Sequence, residues 1–238
     1  MEQEKLKQNK VKKTSKKTNS VKSYIRDFLL FADKNLIKKT RVLLLIAIVV
    51  IAVCIGFVIS ITLASECEGT CRDGLTFGNE YWSNLKVLAL TLVSGIVPYI
   101  YVPVIGFLAF VLQEISNLAY AIKGYGYLVG IGVGIVPLIL NVLAAAIITA
   151  LGMYICRNIT IGYRITNLKN MNIANFKIKL YEILGKEEKV KELTKNRDKK
   201  IEVLQGKKEK INLLQILSVV IVVCIIQFIS VLIQQILL

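Results

Sequence analysis

The sequence contains no histidine among its 238 residues. Histidine is the usual general base at neutral pH, and it completes most catalytic triads and many zinc sites. The chain also lacks a glycine-rich loop of the kind that holds phosphates, and its carboxylates do not pair in or near the apolar segments. These absences argue against an enzyme and predict that the chain uses no cofactor and no metal.

Proline and acidic residues are also scarce. The chain has three prolines, and its 31 lysines and arginines outnumber 16 acidic residues, which gives a net charge of +15. The basic residues gather in two blocks beside apolar runs, a pattern that indicates the cytoplasmic side of a membrane and contact with lipid headgroups rather than with nucleic acid. Apolar residues make up 55% of the chain and its mean hydropathy is +0.59, so the sequence predicts an all-α integral membrane protein.

Two long apolar runs predict transmembrane helices at residues 42–64 and 211–238, because about 20 helical residues cross the hydrocarbon core. Residues 1–22 are rich in lysine and predict a disordered basic tail. Residues 23–40 predict an amphipathic helix that lies in the cytoplasmic headgroup layer as an entry elbow, with a partner-binding helix as the alternative. Its apolar stripe consists of Tyr24, Ile25, Phe28, Leu29, Ala32 and Leu36.

Residues 84–156 form a nearly continuous apolar stretch that holds all three prolines. Its first forty residues would measure about 60 Å as a single helix, twice the thickness of the hydrocarbon core. Pro98 and Pro103 mark the place where this helix breaks into a hairpin, and a third span follows after a Gly-Tyr-Gly-Tyr turn. The spans predicted here are about 85–100, 103–122 and 127–153.

The charge on either side of this stretch sets the number of crossings. Residues 1–41 hold thirteen lysines and arginines, and residues 157–210 hold fifteen against seven acidic residues, so both segments belong in the cytoplasm. The first span leads outside, so an odd number of crossings must separate it from the second basic segment. The sequence therefore predicts five spans in a multi-pass cell-membrane protein, with the N-terminus in the cytoplasm and the C-terminus outside. The alternative has four spans, with residues 85–112 as one kinked helix, and violates the charge rule.

Three polar residues stand out within the apolar stretch: Glu114, Asn117 and Asn141. An acid inside a bilayer is costly and by default marks a functional site, here for a cation, a proton or a basic residue of a partner. The alternative places Glu114 and Asn117 at a helix end in water. Hydrogen bonds between helices are also expected from three glutamines of the last span, Gln227, Gln234 and Gln235.

Small residues indicate packing and one cross-link. Gly126, Gly130 and Gly134 recur at every fourth position, which predicts a helix-packing face because small residues let helix backbones approach closely. Cys67 and Cys71 lie close together in the predicted outer loop, and this spacing on the outer side predicts a local disulfide. The other cysteines, Cys54, Cys156 and Cys224, lie in or beside spans and are interpreted as small packing residues.

Residues 157–210 are predicted to form a cytoplasmic helical segment. Its first part, 157–172, is typical of a loop and a membrane interface. Residues 173–210 are rich in Lys, Glu and Leu, and their pattern, interrupted by Gly185 and Gly206, favours a helical hairpin over a long coiled coil. This segment is a candidate docking surface, and equally a solvated spacer.

The order of these features resembles the stage II sporulation protein M family of bacterial and archaeal membrane proteins. The resemblance rests on the basic N-terminus with one anchor span, Asn84-Leu85 at the start of an apolar run, the break between Gly95 and Gly106, a glycine-rich helix, Pro137 within a span and a separate last span. It covers residues 28–156 and, loosely, the last span. It implies five spans and a non-enzymatic scaffold; the family's namesake holds peptidoglycan-degrading enzymes at the septal membrane of sporulating bacteria.

Two functions of different classes follow from the sequence. The first is a membrane scaffold that recruits other membrane or envelope proteins, with peptidoglycan hydrolases as the partners implied by the resemblance and with homo-oligomers as a further expectation. The second is a membrane subunit of a transporter or an ion carrier, which would use the proline-broken hairpin and Glu114.

Overall fold

The computed structural model describes residues 21–64, 77–94, 101–170 and 173–237, and every regular element in these ranges is a helix. The all-helical class is therefore confirmed. The tail up to residue 20, Cys67, Cys71 and Pro98 lie outside the described residues. The elements in chain order are α1 (21–32), a π-helical segment (Asp33–Ile37), α2 (Lys38–Ala64), α3 (Phe77–Ser94), α4 (Tyr101–Tyr125), α5 (Tyr127–Asn170), α6 (Ile173–Ile183), α7 (Glu187–Lys207) and α8 (Leu213–Leu237).

The first helix runs without a break from residue 21 to Ala64, because α1 passes into α2 through the π segment. The segment predicted as an elbow, 23–40, is thus part of one continuous helix. Its inward-facing residues are Tyr24, Phe28, Phe31 and Asn35 before the extra residue of the π turn, and Leu36, Thr40, Leu43 and Ala47 after it. The π turn shifts the stripe by one position, so that both halves face the bundle. Ile25 and Leu29, predicted in the stripe, are exposed instead.

Helices α3 and α4 correspond to the two arms of the predicted hairpin and pack against each other. α3 begins at Phe77, so it includes the end of the predicted outer loop. Pro103 is the third residue of α4, in the first turn, where its missing N–H has no partner within the helix in any case. At Gly106, an added methyl group would lie within 4 Å of Ser94 and Thr91.

Helix α5 is the longest element, with 44 residues and a length of about 66 Å. It begins directly after Gly126, whose φ of 79° makes the turn from α4. The prediction that residues 157–172 form a loop is wrong up to Asn170, since the helix continues to that residue. Burial of Ile161 and Ile165 stabilises this extension, although its polar residues are typical of a loop.

The core of the bundle lies around α5, which packs against α2, α3, α4, α7 and α8. Ala144, Ala145, Ala146 and Ala150 are completely buried on α5, and such small side chains allow neighbouring helices to approach. Larger side chains fill the space between these helices, among them Phe107, Phe110, Val111, Leu151, Val223 and Val231.

Three helical stretches of the described chain are long and apolar enough to cross a membrane: Val102–Lys123, Leu128–Lys169 and Leu213–Ile236. Large apolar residues are exposed on the outside of the bundle, including Leu45, Val49, Ile139, Ile221 and Ile225. An apolar surface of this extent is suited to lipid rather than to water. The number of five crossings stays a prediction.

Candidate functional site

The three polar residues singled out from the apolar stretch lie together between α4 and α5. Glu114 is near the middle of α4 and only 3% exposed. Asn141 donates from Nδ2 to Glu114 Oε2 at 2.8 Å, and Asn117 donates from Nδ2 to Glu114 Oε1 at 3.5 Å. This burial contradicts the alternative that placed Glu114 at a helix end in water.

Asn141 is held at this depth by α5, one turn beyond Pro137. It is 5% exposed, and its Oδ1 atom is a buried acceptor with no hydrogen-bond partner among the described residues. Pro137 has no N–H, so the carbonyl oxygen of Val133 also lacks its usual donor within the helix. The side-chain amide of Asn141 therefore lies close to a turn of α5 in which one backbone hydrogen bond of the helix is missing.

Gln227 on α8 adds a further buried amide. It is completely buried, and neither Oε1 nor Nε2 has a partner among the described residues. One turn away, Ser230 donates from Oγ to the carbonyl oxygen of Pro137 at 3.4 Å. Near the other end of α5, the amide of Glu209 donates to Asn158 Oδ1. The two contacts show that α5 and α8 run antiparallel, in a register that places Gln227 level with Asn141.

Two of the three glycines predicted to form a packing face, Gly130 and Gly134, lie against α4. At Gly130 a side-chain carbon would overlap the backbone of Ile122 and Ala121, and at Gly134 it would overlap the side chain of Leu118. Both glycines therefore let α5 approach α4 closely. Gly126 has a different role, because it precedes α5 and makes the turn with a positive φ.

A second polar cluster joins the π segment, α5 and the residues before α8; we call it the clasp, consisting of Lys34, Asn158 and Glu209. Lys34 Nζ lies 2.8 Å from Glu209 Oε1, and Asn158 Nδ2 donates to the carbonyl oxygen of Tyr154 at 3.1 Å. The hydrogen bond from Lys34, supported by nearby positive charge, lowers the pKa of Glu209 despite partial burial. Sequence reasoning missed the clasp because its members lie far apart along the chain.

Lys39 and Arg157 lie close to the clasp. Burial lowers the pKa of Lys39, and repulsion by Arg157 lowers it further, while attraction by Glu209 partly offsets both effects. The clasp thus concentrates positive charge around one carboxylate at the end of the bundle.

Helices α6 and α7 form the predicted hairpin, with a turn at Gly185, whose φ is 65°. The hairpin packs on the end of α5 through α7. Within the hairpin, Arg197 on α7 donates from Nη1 to Asn175 Oδ1 on α6 at 2.9 Å. Beside this contact is a groove of about 440 Å³ lined by Lys169, Arg197, Asp198, Ile201, Glu202 and Gln205. Among the described residues, no group of His, Cys, Asp or Glu side chains is placed to hold a metal ion.

Four exposed apolar residues, three on one face of α6 and the fourth in the turn directly after it, form what we call the α6 stripe: Phe176 (66% exposed), Leu180 (43%), Ile183 (82%) and Leu184 (55%). The spacings of four and three residues between Phe176, Leu180 and Ile183 place these side chains along one side of α6. Lys177 and Lys179 lie beside this stripe. Such an arrangement is typical of a helix that meets an apolar partner.

No protein-family model, curated protein or solved structure matches the chain. The resemblance to the stage II sporulation protein M family therefore stays an expectation from sequence features. The features that bear on function are the buried polar residues between α4 and α5 and the α6 stripe.

Proposed function

We propose that the chain is a non-enzymatic membrane scaffold that holds the α6–α7 hairpin in the cytoplasm as a docking site for a partner protein. The observation that carries this proposal is the α6 stripe, an apolar helix face with Ile183 82% exposed. It lies on a hairpin attached directly to the longest helix of the bundle. A helix face of this kind would bind a partner through burial of apolar surface.

The order of helix directions supports a five-span arrangement with the hairpin in the cytoplasm. α4 and α5 are antiparallel around Gly126, and α5 and α8 are antiparallel through the contacts of Ser230 and Asn158. Lys34 contacts Glu209, so the first helix and α8 leave the same end of the bundle. That end also holds the second basic segment, with fifteen lysines and arginines against seven acidic residues, which favours the cytoplasmic side.

The position of the α6 stripe favours a protein, and not the lipid surface, as its binding partner. Asn158 accepts a hydrogen bond from Glu209, which lies shortly before α8. Beyond Asn158, α5 continues for twelve residues, about 18 Å, before α6 begins. The hairpin therefore extends away from the level at which α8 enters the bundle. With Lys177 and Lys179 beside the stripe, the partner would present an apolar helix face bordered by acidic residues.

Site-specific photo-crosslinking in intact cells tests this proposal. A photoreactive residue at Ile183 is expected to give a discrete adduct with one protein, and the additional change Phe176→Glu should abolish that adduct because it places a charge in the apolar contact. Val203 is a matched control, since it is exposed and apolar but lies on α7, outside the stripe.

Mass spectrometry of the adduct then decides between occupants. An acidic protein partner, crosslinked at Ile183 but not at Val203, supports the proposal. Adducts to lipid alone, equal adducts at both positions, or an adduct to a second copy of this chain would each contradict it. Unchanged levels of the variant in the membrane show that the loss of the adduct is not a loss of the protein.

A second candidate function, ion carriage, is favoured by the buried contact between Glu114 and Asn141. Carboxylates at membrane depth commonly lie on the path of a proton or a cation. Flux measured in liposomes that contain the purified protein tests it. Proton or sodium flux that disappears with Glu114→Gln would support carriage, and no flux above that of empty liposomes would contradict it.

A further inference from the structure

Asn141 presents an unsatisfied acceptor beside a buried carboxyl group. Its Nδ2 atom donates to Glu114 Oε2 at 2.8 Å, while Oδ1 of the same amide is buried without a partner among the described residues. Since the two polar atoms of an amide are attached to one carbon, the orphan acceptor lies within a few ångströms of the Glu114 carboxyl group. A donor supplied at this place would satisfy it.

We propose that Glu114 binds a proton and forms a neutral pair of carboxylic acid and amide with Asn141. The carboxylate takes the proton from a hydronium ion, which becomes a water molecule. The charge of the Glu114 side chain changes from −1 to 0. The new O–H of Glu114 donates to Asn141 Oδ1, while Asn141 Nδ2 continues to donate to the other carboxyl oxygen. One hydrogen atom thus supplies the missing donor and removes a charge from the apolar bundle, where burying it is costly.

The unequal lengths of two hydrogen bonds to Glu114 agree with this assignment. The short contact, 2.8 Å from Asn141, is made to Oε2, which would be the carbonyl oxygen of the acid and its better acceptor. The long contact, 3.5 Å from Asn117, is made to Oε1, which would carry the proton. A hydroxyl oxygen can still accept weakly from Asn117 while it donates to Asn141.

A metal cation fits this place less well than a proton. Hard cations such as Ca²⁺ take six to eight oxygen ligands, and Mg²⁺ takes six in octahedral geometry. Asn117 directs its amide nitrogen, a donor, toward Glu114, and a donor repels a cation. A proton needs only the two oxygens that it joins.

Helices α2, α3 and α5 pack on α4, and their titratable and charged residues could affect a proton on Glu114. On α5 they are Tyr127 and those from Tyr154 onward, more than three helical turns from Asn141 on either side. On α3 they are Glu80 in its first turn, Tyr81, which is half-buried, and Lys86, which is exposed. On α2 the charged residues are confined to Lys38, Lys39 and Arg41 at its start, with Cys54 as a further thiol.

Infrared difference spectroscopy of the full-length protein in nanodiscs tests the proposal at neutral pH. Wild type minus Glu114→Gln is expected to show the C=O stretch of a protonated carboxylic acid that shifts in heavy water. Asn141→Leu should keep this band but move it to higher frequency, because both hydrogen bonds between the acid and Asn141 are lost. Glu202→Gln, a change at an exposed position of α7, should leave the band unchanged.

Two results would overturn the proposal. One is a difference spectrum in which Glu114→Gln removes carboxylate stretches in place of an acid band. The other is a shift of the acid or carboxylate bands when sodium replaces choline in the buffer, which would indicate a metal cation at the site. If Glu114→Gln does not fold, the frequency of the acid band in Asn141→Leu decides the question. The outcome is independent of crosslinking at Ile183, so the proton site and the docking function can fail separately.

Discussion

Two glycines two positions apart on α5, Gly130 and Gly132, have different surroundings. At Gly130 a side-chain carbon would overlap the backbone of α4, whereas nothing lies within 4 Å of one at Gly132. We expect Gly130→Ala to destabilise the protein by about 1–3 kcal/mol, as overpacking does. Gly132→Ala should be neutral or stabilising by up to about 1 kcal/mol, because alanine favours a helix.

Thermal unfolding of the two variants in detergent, followed by circular dichroism, checks this difference. The expected result is a lower midpoint for Gly130→Ala and an unchanged or higher midpoint for Gly132→Ala. A similar loss in both variants would show that contact between α4 and α5 is not what requires glycine at position 130.

Single residues were predictable where they differ in kind from their neighbours. Glu114 and Asn141 stand out because they are polar within an apolar run, and the structure places them in hydrogen-bonding contact. The role of Gly126 was not predictable from its spacing, because a repeat of four does not show where one helix ends and the next begins. The sequence also does not predict that the side-chain amide of Gln227 is buried without a hydrogen-bond partner among the described residues, because this depends on which face of α8 meets α5.

At the scale of elements, the length of a helix depends on more than the extent of its apolar run. The start of α5 at Tyr127 follows from the turn residues before it, but the sequence predicts a loop from residue 157, whereas the helix reaches Asn170. The sequence shows where the apolar run ends. A helix can continue beyond that point if other residues pack against it. Ile161 and Ile165 are buried there, and α7 packs on the same helix.

The clasp links two elements through the ion pair between Lys34 and Glu209. Because the pKa of Glu209 is lowered in the folded state, its contribution to stability is complete above the ordinary pKa of about 4.3 and is lost as the pH falls through the lower folded value. Lys34 is 70% exposed, so we expect Glu209→Gln to cost less than about 1 kcal/mol at pH 7.

Thermal midpoints of wild type and Glu209→Gln, measured between pH 7 and pH 3, check this dependence. The two proteins should differ at pH 7 and converge as the medium is acidified below the pKa of Glu209. Glu202→Gln serves as the control, since Glu202 is exposed on α7 and its change should leave the midpoint nearly unaltered at either pH. A difference between wild type and Glu209→Gln that grows on acidification would contradict the assignment.

At the scale of the whole molecule, one helix joins the two candidate sites. α5 carries Asn141 in its apolar half and contacts the α6–α7 hairpin at its far end. Glu114 itself lies on α4 and the α6 stripe on α6, so α5 is the element that contacts both. The proton site and the docking site are thus connected through α5, and each is tested by its own experiment.

The five-span arrangement makes a decisive prediction about which side of the membrane each segment occupies. Single cysteines are placed in a background without the other native cysteines: the native Cys67 in one protein and Lys191→Cys on α7 in another. With five spans, a membrane-impermeant maleimide should label Cys67 in intact cells and should label Lys191→Cys only after permeabilisation. The physical reason is the excess of lysine and arginine in residues 157–210, which opposes their transfer across the membrane. With four spans, Lys191→Cys would be labelled in intact cells, and this result would also remove the hairpin from the compartment in which we place its partner.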